Sequence, residues 1–149
     1  MHIVVIGHGM VGHKFLETLA ANGRQDVRVT VLGEEPRPAY DRVPLSEFFA
    51  GKSANDLSLV TPGFFEREDM VLRLNAKVVG IDRVAQSVTL ADGSTVVYDR
   101  LVLATGSYPF VPPVPGADRK DCFVYRTIED LEAMQEAGAR STSGVVVGG

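Results

Sequence analysis

The sequence predicts an α/β fold: a parallel sheet with helices on both faces, extended by a small antiparallel β-meander. Two observations predict it. A short apolar strand, a glycine turn and an amphipathic helix follow one another from residue 2 and lead into a second apolar strand. Beyond residue 77, alternating segments are joined by Asp92-Gly93, a dipeptide typical of β-hairpin turns.

The first 33 residues predict one complete βαβ unit. Residues 2–6 form an apolar run that ends at Gly7, and apolar residues recur at helical spacing over residues 10–21. Asn22-Gly23 is typical of a helix C-terminus, and residues 27–32 predict the second strand. Because both strands belong to one parallel sheet, we expect a right-handed crossover.

The later elements are shorter. Residues 34–46 contain three prolines and predict an ordered loop, and short helices are expected at 45–50 and 62–68. A longer helix is expected over 128–137, with Thr127 as its N-cap. Further strands are predicted at 71–74, 77–82, 87–90, 95–98, 100–104 and 144–147.

Composition excludes several classes of function. The net charge is -4 with a pI near 5.3 and no basic cluster, so we expect no nucleic-acid partner and no anionic membrane surface. The apolar runs are far shorter than the roughly 20 residues that span a bilayer. The single cysteine, Cys122, allows neither an internal disulfide nor a Cys-ligated iron–sulfur cluster, and it favours a reducing cytoplasm.

The clearest motif is G-x-G-x-x-G over residues 7–12, placed between a strand and a helix. In that context it is typical of a Rossmann-like dinucleotide site. Gly7 permits the tight turn, Gly9 lets the backbone approach a pyrophosphate, and Gly12 lets helix and strand pack closely. The helix N-terminus attracts the phosphates, so the candidate contacts include Met10 and Val11.

Two glutamates follow the second strand. Glu34 lies close to the ~20-residue spacing after the last glycine at which a ribose-binding carboxylate is expected. Glu34 is therefore the first candidate for ribose binding and Glu35 the second. The alternative interpretation is that both are solvated loop charges.

Small residues end the predicted strand at 100–104. Ala104, Thr105 and Gly106 would lie at the carboxyl edge of the sheet, where open α/β sheets bind ligands. An ordinary strand-to-loop turn explains them equally well. We expect the three histidines to be surface or loop residues rather than metal ligands, and Cys122 to be a packed hydrophobic residue. No metal site and no catalytic side chain are predicted.

These motifs carry a family resemblance over the whole chain. It resembles the flavoprotein pyridine-nucleotide oxidoreductases, and within them it is similar to the amino-terminal part of NAD(P)H-dependent nitrite reductase large subunits. The residues that carry the likeness are 6–13, 34–43, 57–60, 104–109 and 122–131. The resemblance implies a three-layer FAD/NAD(P)-binding fold in which residues 1–149 form an FAD-binding domain.

The resemblance also implies roles for particular residues. The first glycine motif would take FAD, with Arg42, Pro44 and Leu45 along the flavin, the Val78 backbone at the adenine, and Arg126 reaching the cofactor. Gly148-Gly149 would begin a second glycine motif, for NAD(P)H, so that the domain is cut at the start of that site. Many relatives carry a lysine where this chain has Glu47, which argues against a ferredoxin reductase.

The implied chemistry is hydride transfer from NAD(P)H to FAD, followed by electron transfer to an iron–sulfur cluster and to sirohaem, where nitrite becomes ammonia. NAD(P)H, the cluster and sirohaem are expected only in the missing remainder of the polypeptide, with a small subunit as a possible partner. The alternatives are a ferredoxin or rubredoxin reductase-like FAD domain and a nucleotide-binding module without catalysis.

Overall fold

A computed structural model describes residues 1–23 and 26–147. The chain divides into two compact units. The first consists of Met1–Asp41 and Ser58–Gly106, and the second of Arg42–Leu57 and Ser107–Gly149.

The first unit contains two sheets. Its elements are β1 (His2–Ile6), α1 (Met10–Ala21), β2 (Arg28–Leu32), β3 (Met70–Arg73), β4 (Val78–Asp82), β5 (Ser87–Leu90), β6 (Thr95–Val97) and β7 (Arg100–Leu103). The parallel sheet has the order β3-β2-β1-β7, and β4-β5-β6 form an antiparallel meander. The predicted α/β class, with a parallel sheet and an antiparallel insertion, is confirmed.

Each face of the parallel sheet is covered by a different layer. On one face Val5 and Val31 pack with Leu16 of α1, and all three are fully buried. On the other face Val4 and Ile6 pack with β5 of the meander. Where the sequence predicted helices on both faces, the described residues of this unit place α1 on one face and the meander on the other. The alternating apolar residues of β5 suit it to this role because one side of a strand can be buried.

The strand register aligns the carboxyl ends of three strands. Ile6 at the end of β1 pairs with Leu32 of β2 on one side and with Leu103 of β7 on the other. The segments that follow these strands therefore begin at one edge of the sheet. This edge brings together the glycine loop, the two glutamates and residues 104–106.

The second unit contains a 3-10 helix, Leu45–Phe48, and α2, Ile128–Ala139. Thr127 is the N-cap of α2, as predicted, and forms a capping box with Asp130: the Asp130 amide donates to Oγ1 of Thr127, and the Thr127 amide donates to the Asp130 carboxylate. Ile128 and Leu131 are fully buried and anchor the helix.

Two predicted elements differ from the structure. Residues 62–68 form turns rather than a helix, because Gly63 has a φ of 80° and interrupts helical geometry at the second position. Residues 144–147 form no strand, and Val145, Val146 and Val147 are about nine-tenths exposed. A strand needs a partner for its backbone groups, and no described strand pairs with this segment. Gly148 and Gly149, the predicted start of a second glycine motif, lie outside the described residues.

Candidate nucleotide-binding site

The glycine loop is packed too tightly for side chains at two positions. Gly7 has a φ of 100°, its amide donates to the carbonyl of Leu32 at 2.9 Å, and a Cβ atom on Gly7 would overlap the carbonyl group of Ala104. A Cβ atom on Gly12 would overlap the carbonyl oxygen of Gly7. The first and third glycines therefore hold α1 against the ends of β1 and β7.

The middle glycine faces open space. A Cβ atom on Gly9 would meet nothing within 4 Å, and the φ of −100° at Gly9 is open to any residue. Gly9 is the N-cap of α1 and provides no side-chain hydrogen bond, so the first backbone N–H groups of the helix have no side-chain cap. Such N–H groups and the helix dipole favour an anion. The open space and the uncapped helix fit a dinucleotide pyrophosphate.

Residues 104–106 border the glycine loop. The amide of Ala104 donates to the carbonyl of Ile6 at 2.8 Å, which extends the β1–β7 ladder to the edge of the sheet. Thr105 and Gly106 follow as exposed residues, and Gly106 has a φ of 67°. The three residues predicted from their small size thus lie where the chain leaves the sheet beside Gly7.

The two glutamates have different surroundings. Oε1 of Glu34 lies 2.7 Å from Nζ of Lys77, and the Glu34 side chain is about half exposed. Lys77 directly precedes Val78, the first residue of β4, so this ion pair connects the ribose and adenine candidates. The Glu35 carboxylate instead accepts a hydrogen bond from the Tyr40 hydroxyl at 2.7 Å. Glu34 is thus the more accessible of the two carboxylates.

Four predicted contacts belong to the second unit. Nη1 of Arg42 donates to the backbone carbonyl of Arg126 at 3.1 Å, so the structure brings these two residues together. The Arg126 guanidinium lies 4.5 Å from the ring centroid of Tyr108, a cation–π distance. Pro44 precedes the 3-10 helix, and Leu45 is only 2% exposed, which leaves its backbone rather than its side chain for a ligand.

Lys77, Tyr40 and Tyr108 were not predicted as neighbours of the candidate residues. Each lies within a few residues of a predicted contact, but the pairing between Lys77 and Glu34 spans 43 positions. No local pattern identifies such a pair. Glu47, which stands where many relatives have lysine, forms an ion pair with Lys52.

The prediction that the histidines are surface or loop residues is wrong for His13, which is buried within α1, and correct for His8 in that it lies in the loop between β1 and α1, although it is buried there. His8 is 9% exposed and His13 is 3% exposed. Their rings pack edge-to-face on each other and on Phe65 and Phe64, respectively. One nitrogen of each ring bonds to a backbone group of a distant segment. The other nitrogen, Nε2 of His8 and Nδ1 of His13, is buried without a hydrogen-bond partner in the described part of the chain.

The prediction that Cys122 is a packed hydrophobic residue is also wrong. It is exposed rather than packed, because it lies in a turn-rich segment where its thiol contacts the carbonyl of Gly116 at 3.6 Å. Among residues 1–23 and 26–147, no group of three or more His, Cys, Asp or Glu side chains is arranged to hold a metal ion. No helix in the same part of the chain has the length and apolar character needed to cross a bilayer.

Comparison with known proteins identifies the family. The family model described as "Pyridine nucleotide-disulphide oxidoreductase" matches residues 1–149. The chain belongs to this family. Members of this flavoprotein family bind FAD and NAD(P)H, and the family is one of oxidoreductases.

Individual relatives of the family agree with this assignment. The chain is 46% identical over 150 residues to the nitrite reductase (NADH) large subunit of Escherichia coli and 51% identical over 148 residues to the nitrite reductase [NAD(P)H] large subunit of Klebsiella oxytoca. The comparison with the Escherichia coli protein covers all of this chain but only 18% of the relative. The comparison with the Klebsiella oxytoca protein covers 99% of this chain but only 16% of the relative. The chain thus spans less than a fifth of their length.

A solved structure shows the same fold. The covalent putidaredoxin reductase–putidaredoxin complex matches with a TM-score of 0.79 and 33% identity, covering 91% of this chain and 34% of that chain. This neighbour contains putidaredoxin reductase. Its identity to this chain is lower than that of the two nitrite reductase large subunits.

Proposed function

We propose that this chain is the FAD-binding segment of an NAD(P)H-dependent nitrite reductase large subunit. One structural observation carries the nucleotide-binding part: the open space at Gly9, facing the uncapped N-terminus of α1. The identity to nitrite reductase large subunits along the whole chain supports the more specific part. We infer that residues 1–149 act as one FAD-binding domain and that a second nucleotide motif begins at residue 148.

FAD would be held through backbone groups and a few side chains. The N–H groups at the start of α1 would bind the pyrophosphate, and the Glu34 carboxylate would accept hydrogen bonds from the ribose hydroxyls. A carboxylate repels a 2′-phosphate, which favours FAD over NADP at this motif. The proposed contacts are Gly7, Gly9, Met10, Val11, Gly12, Glu34, Glu35, Arg42, Pro44, Leu45, Val78, Ala104, Thr105, Gly106 and Arg126.

The reaction needs little acid–base chemistry from this chain. Bound FAD supplies the capacity to take a hydride and release electrons singly. The residues of the chain bind and orient: the helix N-terminus neutralises phosphate charge, and the glutamate fixes the ribose. We therefore assign no nucleophile and no general base to the proposed site.

The remaining centres would lie in other parts of the protein. We propose that NAD(P)H, an iron–sulfur cluster and sirohaem bind to the rest of a longer polypeptide, with a small subunit as a further partner and the cytoplasm as the location. The greater length of the relatives supports this, as does the single cysteine, which cannot ligate a cluster. Nitrite would be reduced at those later centres.

Titration with FAD tests the first part of the proposal. We expect the purified chain to bind one FAD, detected by quenching of flavin fluorescence and by a flavin absorbance band that persists through gel filtration. NADH should leave that band unbleached, whereas it should bleach the flavin of the longer protein. A chain that remains folded but binds no FAD would overturn the proposal.

Two alternatives are separable by experiment. A ferredoxin or rubredoxin reductase-like enzyme fits less well, since the nitrite reductases are the more similar relatives. If the longer protein reduces a ferredoxin with NADH but produces no ammonia from nitrite, that alternative replaces the proposal. If FAD binds but NADH bleaches neither the chain nor the longer protein, the non-catalytic nucleotide-binding module replaces it.

A further inference from the structure

Two buried histidines, His8 in the glycine loop and His13 in α1, lie at the two ends of a series of hydrogen bonds. The amide of Ala39 donates to Nδ1 of His8 at 3.1 Å. The carbonyl of Ala39 accepts from the amide of Leu59 at 3.0 Å, and the carbonyl of Leu59 lies 3.0 Å from Nε2 of His13. These bonds link His8, Ala39, Leu59 and His13 in that order. They therefore join the glycine loop and α1 to two segments more than 30 positions away along the chain.

The partners assign the protonation of both rings. Nδ1 of His8 faces an N–H group and must accept, so the proton of neutral His8 is on Nε2. Nε2 of His13 faces a carbonyl oxygen and must donate, so it also carries the proton. Burial lowers the pKa of His8 to about 4, with a further contribution from the nearby His13. His8 is consequently neutral at pH 7 and keeps the lone pair that Ala39 requires.

These hydrogen bonds also involve the loop that begins with Glu34 after β2, which we call the carboxylate loop. Tyr40 follows Ala39, forms an isolated β-bridge with Ser58, and donates its hydroxyl hydrogen bond to Glu35. The loop that begins with Glu34 is thus connected to the glycine loop through the buried bond between Ala39 and His8 and the part-buried bond between Tyr40 and Glu35. Phe64 and Phe65 pack on the two histidine rings.

We propose that His8 and His13 are positioning residues for nucleotide binding, which hold the carboxylate loop in register with the glycine loop before the ligand arrives. This role rests on the proposed FAD function. A loop held in its binding conformation loses less entropy when a ligand binds, and a binding-competent population that falls to a tenth weakens apparent affinity tenfold. Each histidine acts through Ala39 or Leu59 and not through direct contact with the nucleotide.

Matched substitutions test the role. His8→Asn retains an acceptor near the position of Nδ1, and His13→Gln retains a donor near the position of Nε2, whereas leucine at either position retains neither. We expect H8L and H13L to bind FAD about tenfold more weakly or worse, and H8N and H13Q to recover most of the affinity. The H8L/H13L double variant should lose little more than either single variant, because both break one chain of bonds.

A histidine outside this chain of bonds provides the control. His2 lies at the other end of β1, where its Nε2 is 2.9 Å from Oγ1 of Thr30. H2N should bind FAD as the wild type does. H8L that is folded and binds FAD as tightly as the wild type would overturn the positioning role alone. Wild-type protein that does not bind FAD would overturn the proposed function and the role together.

Two measurements need no ligand. Hydrogen exchange at the Ala39 amide should be slow in the wild type and H8N and at least tenfold faster in H8L. Nitrogen NMR shifts of the wild-type imidazoles should identify the Nε2–H tautomer of both rings. A charged His8 at pH 7, or one protonated on Nδ1, would contradict the proposal even if the leucine variants do not fold.

Discussion

The carbonyl oxygen of Gly7 occupies the space that a Cβ atom on Gly12 would need. Gly7 is itself confined, because its own Cβ position is filled by the carbonyl of Ala104. The first and third glycines of the motif therefore pack backbone on backbone. Only the middle glycine, Gly9, is open to a ligand. Substitutions at Gly7 and Gly12 should therefore affect stability, and a substitution at Gly9 should affect binding.

Gly12→Ala should destabilise the protein. Alanine in a helix interior gains up to about 1 kcal/mol over glycine, but forcing a methyl group into packed backbone costs about 1–3 kcal/mol. We expect a net loss of about 1–2 kcal/mol in the free energy of unfolding, measured by urea denaturation. Gly138→Ala is the control, because Gly138 lies within α2 with open space at its Cβ position and should gain stability. Equal stabilisation of both variants would contradict the packing.

Gly9→Ala should have the opposite profile. The backbone at Gly9 suits any residue and the space is open, so the free energy of unfolding should change by less than about 0.5 kcal/mol. The added methyl group would occupy space into which the pyrophosphate is proposed to fit, and we expect FAD affinity to fall at least about tenfold. Isothermal titration measures it. Unchanged affinity in the folded variant would place the pyrophosphate elsewhere.

The elements that could be predicted are those with a local signal. β1, α1 and β2 follow from apolar periodicity around the glycine motif, and Asp92-Gly93 locates the meander to within a residue at its ends. Thr127 predicts the start of α2 because it is a favourable N-cap residue, and its capping-box partner Asp130 lies only three positions away. In each case the residues that determine the element are adjacent along the chain.

Several of the mispredicted features depend on distant contacts. The three valines at 145–147 have the composition of a strand, but a strand also requires a paired neighbour. His8 and His13 are polar in sequence and buried in the structure, because Ala39 and Leu59 supply their partners. The Glu34–Lys77 pair is likewise set by the fold. Composition alone contains none of these pairings.

Acid should destabilise the protein through His8. The pKa of His8 falls from its ordinary value of 6.5 to about 4 on folding, because burial disfavours the charged ring. Between these values the unfolded chain binds more protons, so stability decreases as pH falls from 6.5 to 4, by up to about 3 kcal/mol, and no further below that. Urea denaturation at several pH values measures this slope.

His8→Asn isolates that contribution. Protonation of carboxyl groups in acid also destabilises the protein; an example is Asp69, whose pKa is lowered mainly by its hydrogen bond with Arg67. This contribution is the same in the wild type and in H8N. The difference between wild type and H8N should therefore change between pH 6.5 and 4 and stay constant above pH 7.5. A difference that is independent of pH would show that His8 titrates normally in the folded protein.

Glu34→Gln should weaken FAD binding while leaving stability almost unchanged. The Glu34–Lys77 pair is half exposed on both sides, and such pairs contribute about 0–1 kcal/mol. A hydrogen bond to a charged acceptor contributes about 1.5–3 kcal/mol, so loss of the carboxylate charge should reduce FAD affinity about 10- to 100-fold. Glu68→Gln, at an exposed glutamate just before β3, should change neither property. Glu35→Gln should instead reduce stability, since Glu35 accepts the Tyr40 hydrogen bond. If E35Q loses FAD affinity and E34Q retains it, the ribose carboxylate is Glu35 and not Glu34.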